Sequence, residues 1–130
     1  MVQLELKNVC KKYTGQSRYA LDHINLAVEK GDFVAIMGRS GSGKTTFLNA
    51  ASTIDSIDSG DIFCGGKNIS HLNDNEATEF RKNNVGFVFQ DYMLLDSLTI
   101  RENIAVALSL QNVDRAKIDS RIDDYAMELN

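Results

Sequence analysis

The chain has 130 residues, of which 43% are hydrophobic and 25% are charged, and its formal net charge is −4. This length and apolar content permit one compact domain with a real core, whereas a nucleic-acid partner would favour a basic face, which this acidic sequence does not indicate. No apolar run approaches the ~20 residues that span a bilayer, and the N-terminus lacks the charged and apolar regions of a signal peptide. We therefore expect a soluble, cytosolic domain.

The first part of the chain has the patterns of strands. Apolar and polar residues alternate from Val2 to Lys7 and again from Ile24 to Val28, which is the period of a half-buried strand. Residues 33–37 are apolar at every position, as expected of a strand that helices cover on both faces. This order predicts a small antiparallel sheet beside a parallel core.

Later elements are marked by turn residues and helix caps. Asn73 with Glu76, and Thr99 with Glu102, have the spacing of capping boxes, in which two side chains satisfy backbone N–H groups at the start of a helix. Apolar residues at helical spacing follow Asp114. The predicted elements are a hairpin over 61–66 and helices over 73–83, 99–110 and 114–130, of which the last residue lies outside the described residues.

The clearest signal for function lies between the apolar run 33–37 and a helix-forming run that follows it. It has the spacing G-x-x-x-x-G-K-[ST] in the setting of strand, loop and helix. Glycines let the backbone approach a ligand closely, and successive N–H groups at a helix start form an anion nest. We therefore predict that a nucleoside triphosphate is bound by Gly38, Arg39, Ser40, Gly41, Ser42, Gly43, Lys44, Thr45 and Thr46.

Two of these side chains have the chemistry for specific tasks. The ammonium group of Lys44 can reach the β- and γ-phosphates, and the hydroxyl of Thr45 can hold Mg²⁺. His23 and His71 have no acidic or thiol residues at metal-ligand spacing, so we do not expect zinc ligands there.

Residues 85–91 form an apolar run that ends in an acid, Asp91. Considered alone, this pattern is typical of a strand whose acid holds Mg²⁺ in a small P-loop kinase or GTPase. A kinase also needs an acceptor-binding lid, and a GTPase needs an N-K-x-D motif. We find neither, so this alternative is disfavoured.

The sequence resembles the nucleotide-binding subunit of ABC transporters in three features that occur in the family's order. They are Tyr13 after two lysines, the glycine-rich run 37–46, and Val85-Gly86-Phe87-Val88-Phe89-Gln90. The runs 52–55 and 89–99 are most similar to bacitracin-type antimicrobial-peptide resistance transporters, with the lipoprotein-releasing and macrolide-export ATPases as the neighbouring group.

The resemblance implies an α/β fold, namely a partial P-loop NTPase core of the ABC type. Residues 1–90 would form an N-terminal antiparallel β subdomain and the P-loop core, and residues 91–130 the Q-loop and the start of a helical subdomain. The apolar segment from Tyr92 to Leu98 would contact a membrane permease. The full-length subunit would form a homodimer on the cytoplasmic side of the plasma membrane.

The resemblance also implies individual roles, with ATP and Mg²⁺ as cofactors. Tyr13 would stack on adenine, since an aromatic face accepts any base. Gln90 would contact Mg²⁺, together with Thr45, and the attacking water, because an amide oxygen suits a hard cation. Lys44 and Gln90 would be the catalytic residues.

The sequence departs from the family pattern in two ways. Arg39 occupies a variable position where the family often has proline or alanine. The signature L-S-G-G-Q, the strand ending in Asp-Glu and the switch histidine do not occur. We therefore expect a truncated chain that hydrolyses little ATP alone and is marginally stable or self-associating. A nucleotide-binding module without turnover is the alternative.

Overall fold

The computed structural model describes residues 1–129, which form two compact units, Met1–Val85 and Gly86–Asn130, the second described as far as residue 129. The strands and helices, in chain order, are β1 (Val2–Lys11), β2 (Leu21–Glu29), α1 (Lys44–Ala51), β3 (Ser59–Cys64), β4 (Lys67–Asn68), α2 (Asp74–Asn84), α3 (Ile100–Leu110) and α4 (Arg115–Glu128). None of the helices in residues 1–129 has both the length and the apolarity that a membrane span requires.

The four strands of the first unit form one antiparallel sheet in the order β2-β1-β3-β4. The predicted antiparallel sheet and the hairpin after Cys64 are thereby confirmed. The register of β1 shifts after Leu6, where Asn8 has a φ of 50°. Because this bulge reverses the alternation of side chains, Leu6 and Val9 are both buried in the same core.

Gly60 lies opposite this bulge. Its φ is 92°, and a Cβ atom there would collide with the carbonyl oxygen of Asn8. Since only glycine combines a left-handed backbone with such a close approach, β1 and β3 pair through a position that no other residue fits.

The core of the first unit lies between the sheet and helices α1 and α2. Phe47 and Ala50 of α1 and Phe80 of α2 are buried in it. Burial of a phenylalanine side chain stabilises a fold by about 1.5–3 kcal/mol, so these contacts fix α1 against the sheet. The buried members are Leu6, Val9, Leu21, Phe47, Ala50, Ile57, Ile62, Ile69 and Phe80.

Both predicted capping boxes are present. The side chain of Asn73 accepts from the backbone N–H of Glu76, whose carboxylate accepts in return from Asn73 N at 3.0 Å. Thr99 and Glu102 repeat this arrangement at the start of α3. There the backbone N–H of Thr99, followed by its hydroxyl, lowers the pKa of the Glu102 carboxyl.

Two predicted strands are wrong in the described residues. Residues 33–37 and 85–91 pair with no strand, although their sequences are apolar. Phe33 is 98% exposed, and both Met37 and Val88 are 89% exposed. A strand buried on both faces depends on hydrogen bonds from its neighbours and on helices that cover it, and neither segment has such neighbours among residues 1–129.

The predicted functional division after residue 90 remains a prediction. The boundary between the compact units lies between Val85 and Gly86. This boundary reflects packing and does not assign roles to the subdomains.

Candidate functional site

The glycine-rich loop (residues 38–43) leads directly into α1. Gly43 is the N-cap residue of this helix with a φ of 93°, and a Cβ atom on it would collide with the carbonyl oxygen of Ala20. Gly41 also has a positive φ, 76°, but its surroundings are open. Both glycines therefore provide left-handed backbone, and Gly43 in addition lets the loop pack beside the start of β2.

Lys44 curls back over the glycine-rich loop. Its Nζ donates to the carbonyl oxygen of Gly38 at 2.7 Å and to that of Arg39 at 2.8 Å, and it lies 3.4 Å from the hydroxyl oxygen of Ser42. The ammonium group is thus held beside the loop backbone by three oxygen atoms. A polyphosphate can replace such neutral acceptors, because charged hydrogen bonds are the stronger ones.

The start of α1 supports the same chemistry. Its first turn contains no acidic residue, so no carboxylate competes for the partial positive charge that the aligned peptide groups create there. Thr45 is exposed and Thr46 is half-buried. A loop of backbone N–H groups, a lysine and the start of a helix together fit a phosphate group.

Tyr13 lies beside this helix start. Its hydroxyl donates to Asp55 Oδ2 at 2.8 Å and lies 3.4 Å from the hydroxyl oxygen of Thr46. Asp55 also accepts from Lys11, whose Nζ is 3.1 Å from Oδ1. We refer to Lys11, Tyr13 and Asp55 as the Asp55 cluster.

The Asp55 carboxylate is stabilised in its charged form. Burial alone would raise its pKa, but the hydrogen bonds from Tyr13 and Lys11 and the charge of Lys11 outweigh burial, so the pKa lies below the ordinary value of 3.8. Lys11 is itself buried, with 8% of the residue exposed. A buried ammonium group needs such a partner, because an unpaired buried charge is costly.

Gln90 and Asp91 lie in the second unit. Gln90 follows a segment without strand pairing, and the carbonyl oxygen of Asp91 accepts from the backbone N–H of Met93 at 2.6 Å. Tyr92 and Met93 have φ values of 57° and 52°, which is unfavourable for residues with a Cβ atom. The role of Gln90 stays a prediction.

The apolar segment (residues 92–98) is largely exposed. Tyr92 is 76% exposed and Leu94 is 63% exposed. Asn103 of α3 holds the segment in place, since its Oδ1 accepts from Leu95 N at 2.8 Å and its Nδ2 donates to the carbonyl oxygens of Leu95 and Leu98. A groove of 290 Å³ is lined by Leu94, Leu95, Asp96, Leu98, Ile100, Asn103 and Ile104.

One further group in residues 1–129 brings potential metal ligands together. The ligand atoms of Cys10, Asp22 and His23 lie within 4.8 Å of one another, a proximity that the sequence analysis did not anticipate for His23. His23 Nδ1 is already 2.7 Å from Asp22 Oδ1, and the sulfur of Cys10 accepts from the backbone N–H of His23. The ligand atoms of Cys10, Asp22 and His23 are therefore already engaged in hydrogen bonds within this group.

Sequence reasoning missed Lys11 and Asp55 as members of the site. Asp55 lies in a run of turn residues, and Lys11 is one of two consecutive lysines. No local spacing connects them, because the contact joins residues 44 positions apart. Only the packing of α1 against β1 brings the two charges together.

The spacing G-x-x-x-x-G-K-[ST], with a left-handed glycine before a helix and a lysine folded over the loop, defines the class of P-loop nucleotide-binding proteins. The comparisons with known proteins agree. The ABC transporter family model matches residues 21–130. The chain belongs to this family, as an ABC transporter ATP-binding domain.

Several relatives are similar over almost the whole chain. The ABC transporter ATP-binding protein YxdL of Bacillus subtilis is 46% identical over 127 residues, which cover 97% of this chain and 49% of that protein. The bacitracin export ATP-binding protein BceA of Halalkalibacterium halodurans is 44% identical, over 99% of this chain and 52% of that protein. The chain thus spans about half the length of these curated relatives.

A solved structure is similar as well. It is a dimeric, post-hydrolysis state of the ATP-binding cassette MJ0796 bound to ADP and Pi, and the protein comes from Methanocaldococcus jannaschii. The TM-score is 0.83 at 36% identity, and the match covers 91% of this chain and 53% of that chain. The expected fold class, a partial P-loop core of the ABC type, is confirmed.

Proposed function

We propose that this chain binds ATP with Mg²⁺ as part of an ABC transporter ATPase and that binding powers transport through a membrane permease. The observation that carries the proposal is the position of Lys44, whose ammonium group is held over the glycine-rich loop by the carbonyl oxygens of Gly38 and Arg39. In this role Lys44 binds the β- and γ-phosphates, and the N–H groups of the loop bind the remaining oxygens.

The side chains at the start of α1 include an oxygen ligand suited to Mg²⁺. The Thr45 hydroxyl would hold Mg²⁺, and Gln90 would add an amide oxygen, because Mg²⁺ prefers oxygen ligands. When bound, Mg²⁺ would supply positive charge that offsets the charge of the phosphates. Tyr13 is proposed to stack on adenine, since it is half-buried beside Thr46.

The transported substrate is proposed from the relatives. One is named a bacitracin export protein, and the proposed role is export of, or resistance to, a peptide antibiotic. Permease contact is assigned to the apolar segment, in which four consecutive apolar residues, 92–95, are exposed, because exposed apolar surface of this kind marks partner sites. The protein would act as a homodimer on the cytoplasmic face of the plasma membrane.

Calorimetric titration with Mg-ATP tests nucleotide binding. We expect Lys44→Ala to weaken binding about 100-fold, because charged hydrogen bonds to the phosphates are lost. Lys30→Ala, which removes an exposed lysine at the turn after β2, is the matched control. Equal affinity of the two variants would contradict the proposal.

A hydrolysis assay separates the enzyme from the binding module. We expect the purified protein to release little phosphate beyond the Lys44→Ala variant, since no acid in residues 1–130 is assigned to activate water. Clear turnover that depends on Lys44 and is lost in Asp91→Asn would instead favour the kinase-like or GTPase-like arrangement.

The permease contact is tested by co-expressing this chain with a candidate permease subunit and measuring co-purification. We expect Leu94→Arg to prevent co-purification, because it places a charge in the apolar segment. Leu110→Arg changes an equally exposed leucine at the end of α3 and should have no effect. Loss of co-purification with both variants, or with neither, would exclude the assigned surface.

A further inference from the structure

Asp55 accepts hydrogen bonds from two side chains, Lys11 at the end of β1 and Tyr13 in the loop that follows. Its Oδ2 accepts from the hydroxyl of Tyr13 at 2.8 Å, and its Oδ1 accepts from Lys11 at 3.1 Å. The Lys11 ammonium also lies over the ring of Tyr13, 5.3 Å from the centroid. The ring of Tyr13 is therefore held both at its hydroxyl and across one face.

The backbone of Asp55 is tied to α1, the helix that starts at the glycine-rich loop. The N–H groups of Ile54 and Asp55 both donate to the carbonyl oxygen of Asn49, at 2.8 and 3.2 Å. The carboxylate of Asp55 thus has a defined position relative to α1. Through it, the hydroxyl of Tyr13 is placed relative to the same helix.

A second aspartate in this turn has a different task. Asp58 accepts from the backbone N–H of Lys12 at 2.6 Å and donates its own N–H to the carbonyl oxygen of Cys10 at 2.9 Å. It fastens the turn to β1 and does not contact Tyr13. Asp58 is therefore a matched comparison for Asp55.

We infer that Asp55 is a positioning residue for Tyr13, which it holds by the phenol hydroxyl so that one face of the ring is directed to the base of the bound nucleotide. The inference rests on the proposed function. Lys11 covers one face of the ring, so a base stacks on the opposite face. The lowered pKa of Asp55 keeps its carboxylate charged as an acceptor for both donors.

This role makes the tyrosine hydroxyl itself important. A residue that only stacks on a base needs an aromatic face and no hydroxyl, whereas a ring aligned by Asp55 needs the hydroxyl. Tyr13→Phe keeps the aromatic face and the Lys11–Asp55 ion pair, and it removes the 2.8 Å hydrogen bond to Asp55 together with the longer 3.4 Å contact to the Thr46 hydroxyl. It is also the variant least able to disturb folding, unlike Asp55→Asn, which leaves Lys11 without its charged partner.

The test is the ratio of two affinities, one for Mg-ATP and one for Mg²⁺ with inorganic triphosphate, which has no base. We expect Tyr13→Phe and Asp55→Asn each to weaken ATP binding about three- to tenfold, the worth of one hydrogen bond, with triphosphate binding unchanged. The double variant should be no weaker than the stronger of the two single variants, since both act on the same hydrogen bond, which Asp55→Asn weakens and Tyr13→Phe removes. Asp58→Asn should leave the ratio unchanged.

Different failures have different meanings. If Tyr13→Ala lowers the ratio but Tyr13→Phe does not, the positioning role is wrong and base stacking by Tyr13 stands. If Tyr13→Ala does not lower it, base stacking and the inference both fail. If the wild-type protein binds neither compound, the proposed function fails and the inference with it. Thermal melting will reveal whether Asp55→Asn is unfolded. In that case the affinities of Tyr13→Phe alone test the positioning role.

Discussion

The glycine-rich loop and the Asp55 cluster differ in how far apart in sequence their contacting residues are. In the loop, Lys44 bonds to carbonyl oxygens five and six residues before it. In the cluster, Asp55 bonds to Tyr13 and Lys11 across 42 and 44 residues. The loop therefore depends on the conformation of a short stretch of backbone, whereas the cluster exists only when α1 and β1 are packed.

The two regions should respond differently to substitution. Changes in the loop act through backbone conformation, and changes in the cluster act through charge and packing.

Gly43→Ala should have the largest effect on stability. Gly43 has a left-handed φ of 93°, and the Cβ atom of an alanine there would collide with the carbonyl oxygen of Ala20. We therefore expect the free energy of unfolding to fall by about 2–5 kcal/mol. Gly41→Ala has a similar φ but open surroundings, and about 1–2 kcal/mol is expected. Urea unfolding measures both. Equal losses would mean that the contact with Ala20 does not matter.

Lys11→Met should break the Asp55 cluster. Removing one partner leaves the carboxylate of Asp55 without its counter-charge, which we expect to cost about 1–3 kcal/mol of unfolding free energy. Lys7→Met removes the exposed pair between Lys7 and Glu5, for which about 0–1 kcal/mol is expected. If chemical unfolding gives the same loss of unfolding free energy for Lys11→Met and Lys7→Met, the burial of Lys11 does not contribute to stability.

Asn73→Ala tests a local element outside both regions. It removes the side chain that caps α2, and the expected loss is about 0.5–2 kcal/mol in the unfolding free energy. Asn75→Ala changes an exposed residue of the same helix and serves as the control. A loss confined to Asn73 would show that the predicted capping box contributes as its spacing indicates.

The pH dependence of the Asp55 cluster should be the smallest effect, because the Asp55 side chain is 29% exposed. Its pKa is lower in the folded state than the ordinary 3.8, so its stabilising contribution is present above that value and is lost as the pH falls through the folded pKa. The difference in unfolding free energy between wild type and Asp55→Asn should shrink below about pH 4. A constant difference down to pH 3 would contradict the hydrogen bonds from Tyr13 and Lys11 to Asp55.

Much of the fold and site could be predicted because the signals are local. The capping boxes at Asn73 and Thr99, the strand alternation in β1 and the spacing before Lys44 each involve residues within a few positions of one another. Residues 33–37 show the limit of this reasoning. Their apolar composition predicted a buried strand, but strand formation requires neighbours that composition does not supply.

The caps, the turns and the glycine-rich loop follow from the sequence, since their hydrogen bonds close over short stretches of chain. Three other features depend on packing between distant parts of the chain. They are the bulge at Asn8 that places Val9 in the core, the fit of Gly60 against this bulge, and the contacts of Lys11 and Tyr13 with Asp55. The physical reason is that a contact between distant residues forms only when burial of the shared core offsets the entropy lost in bringing them together.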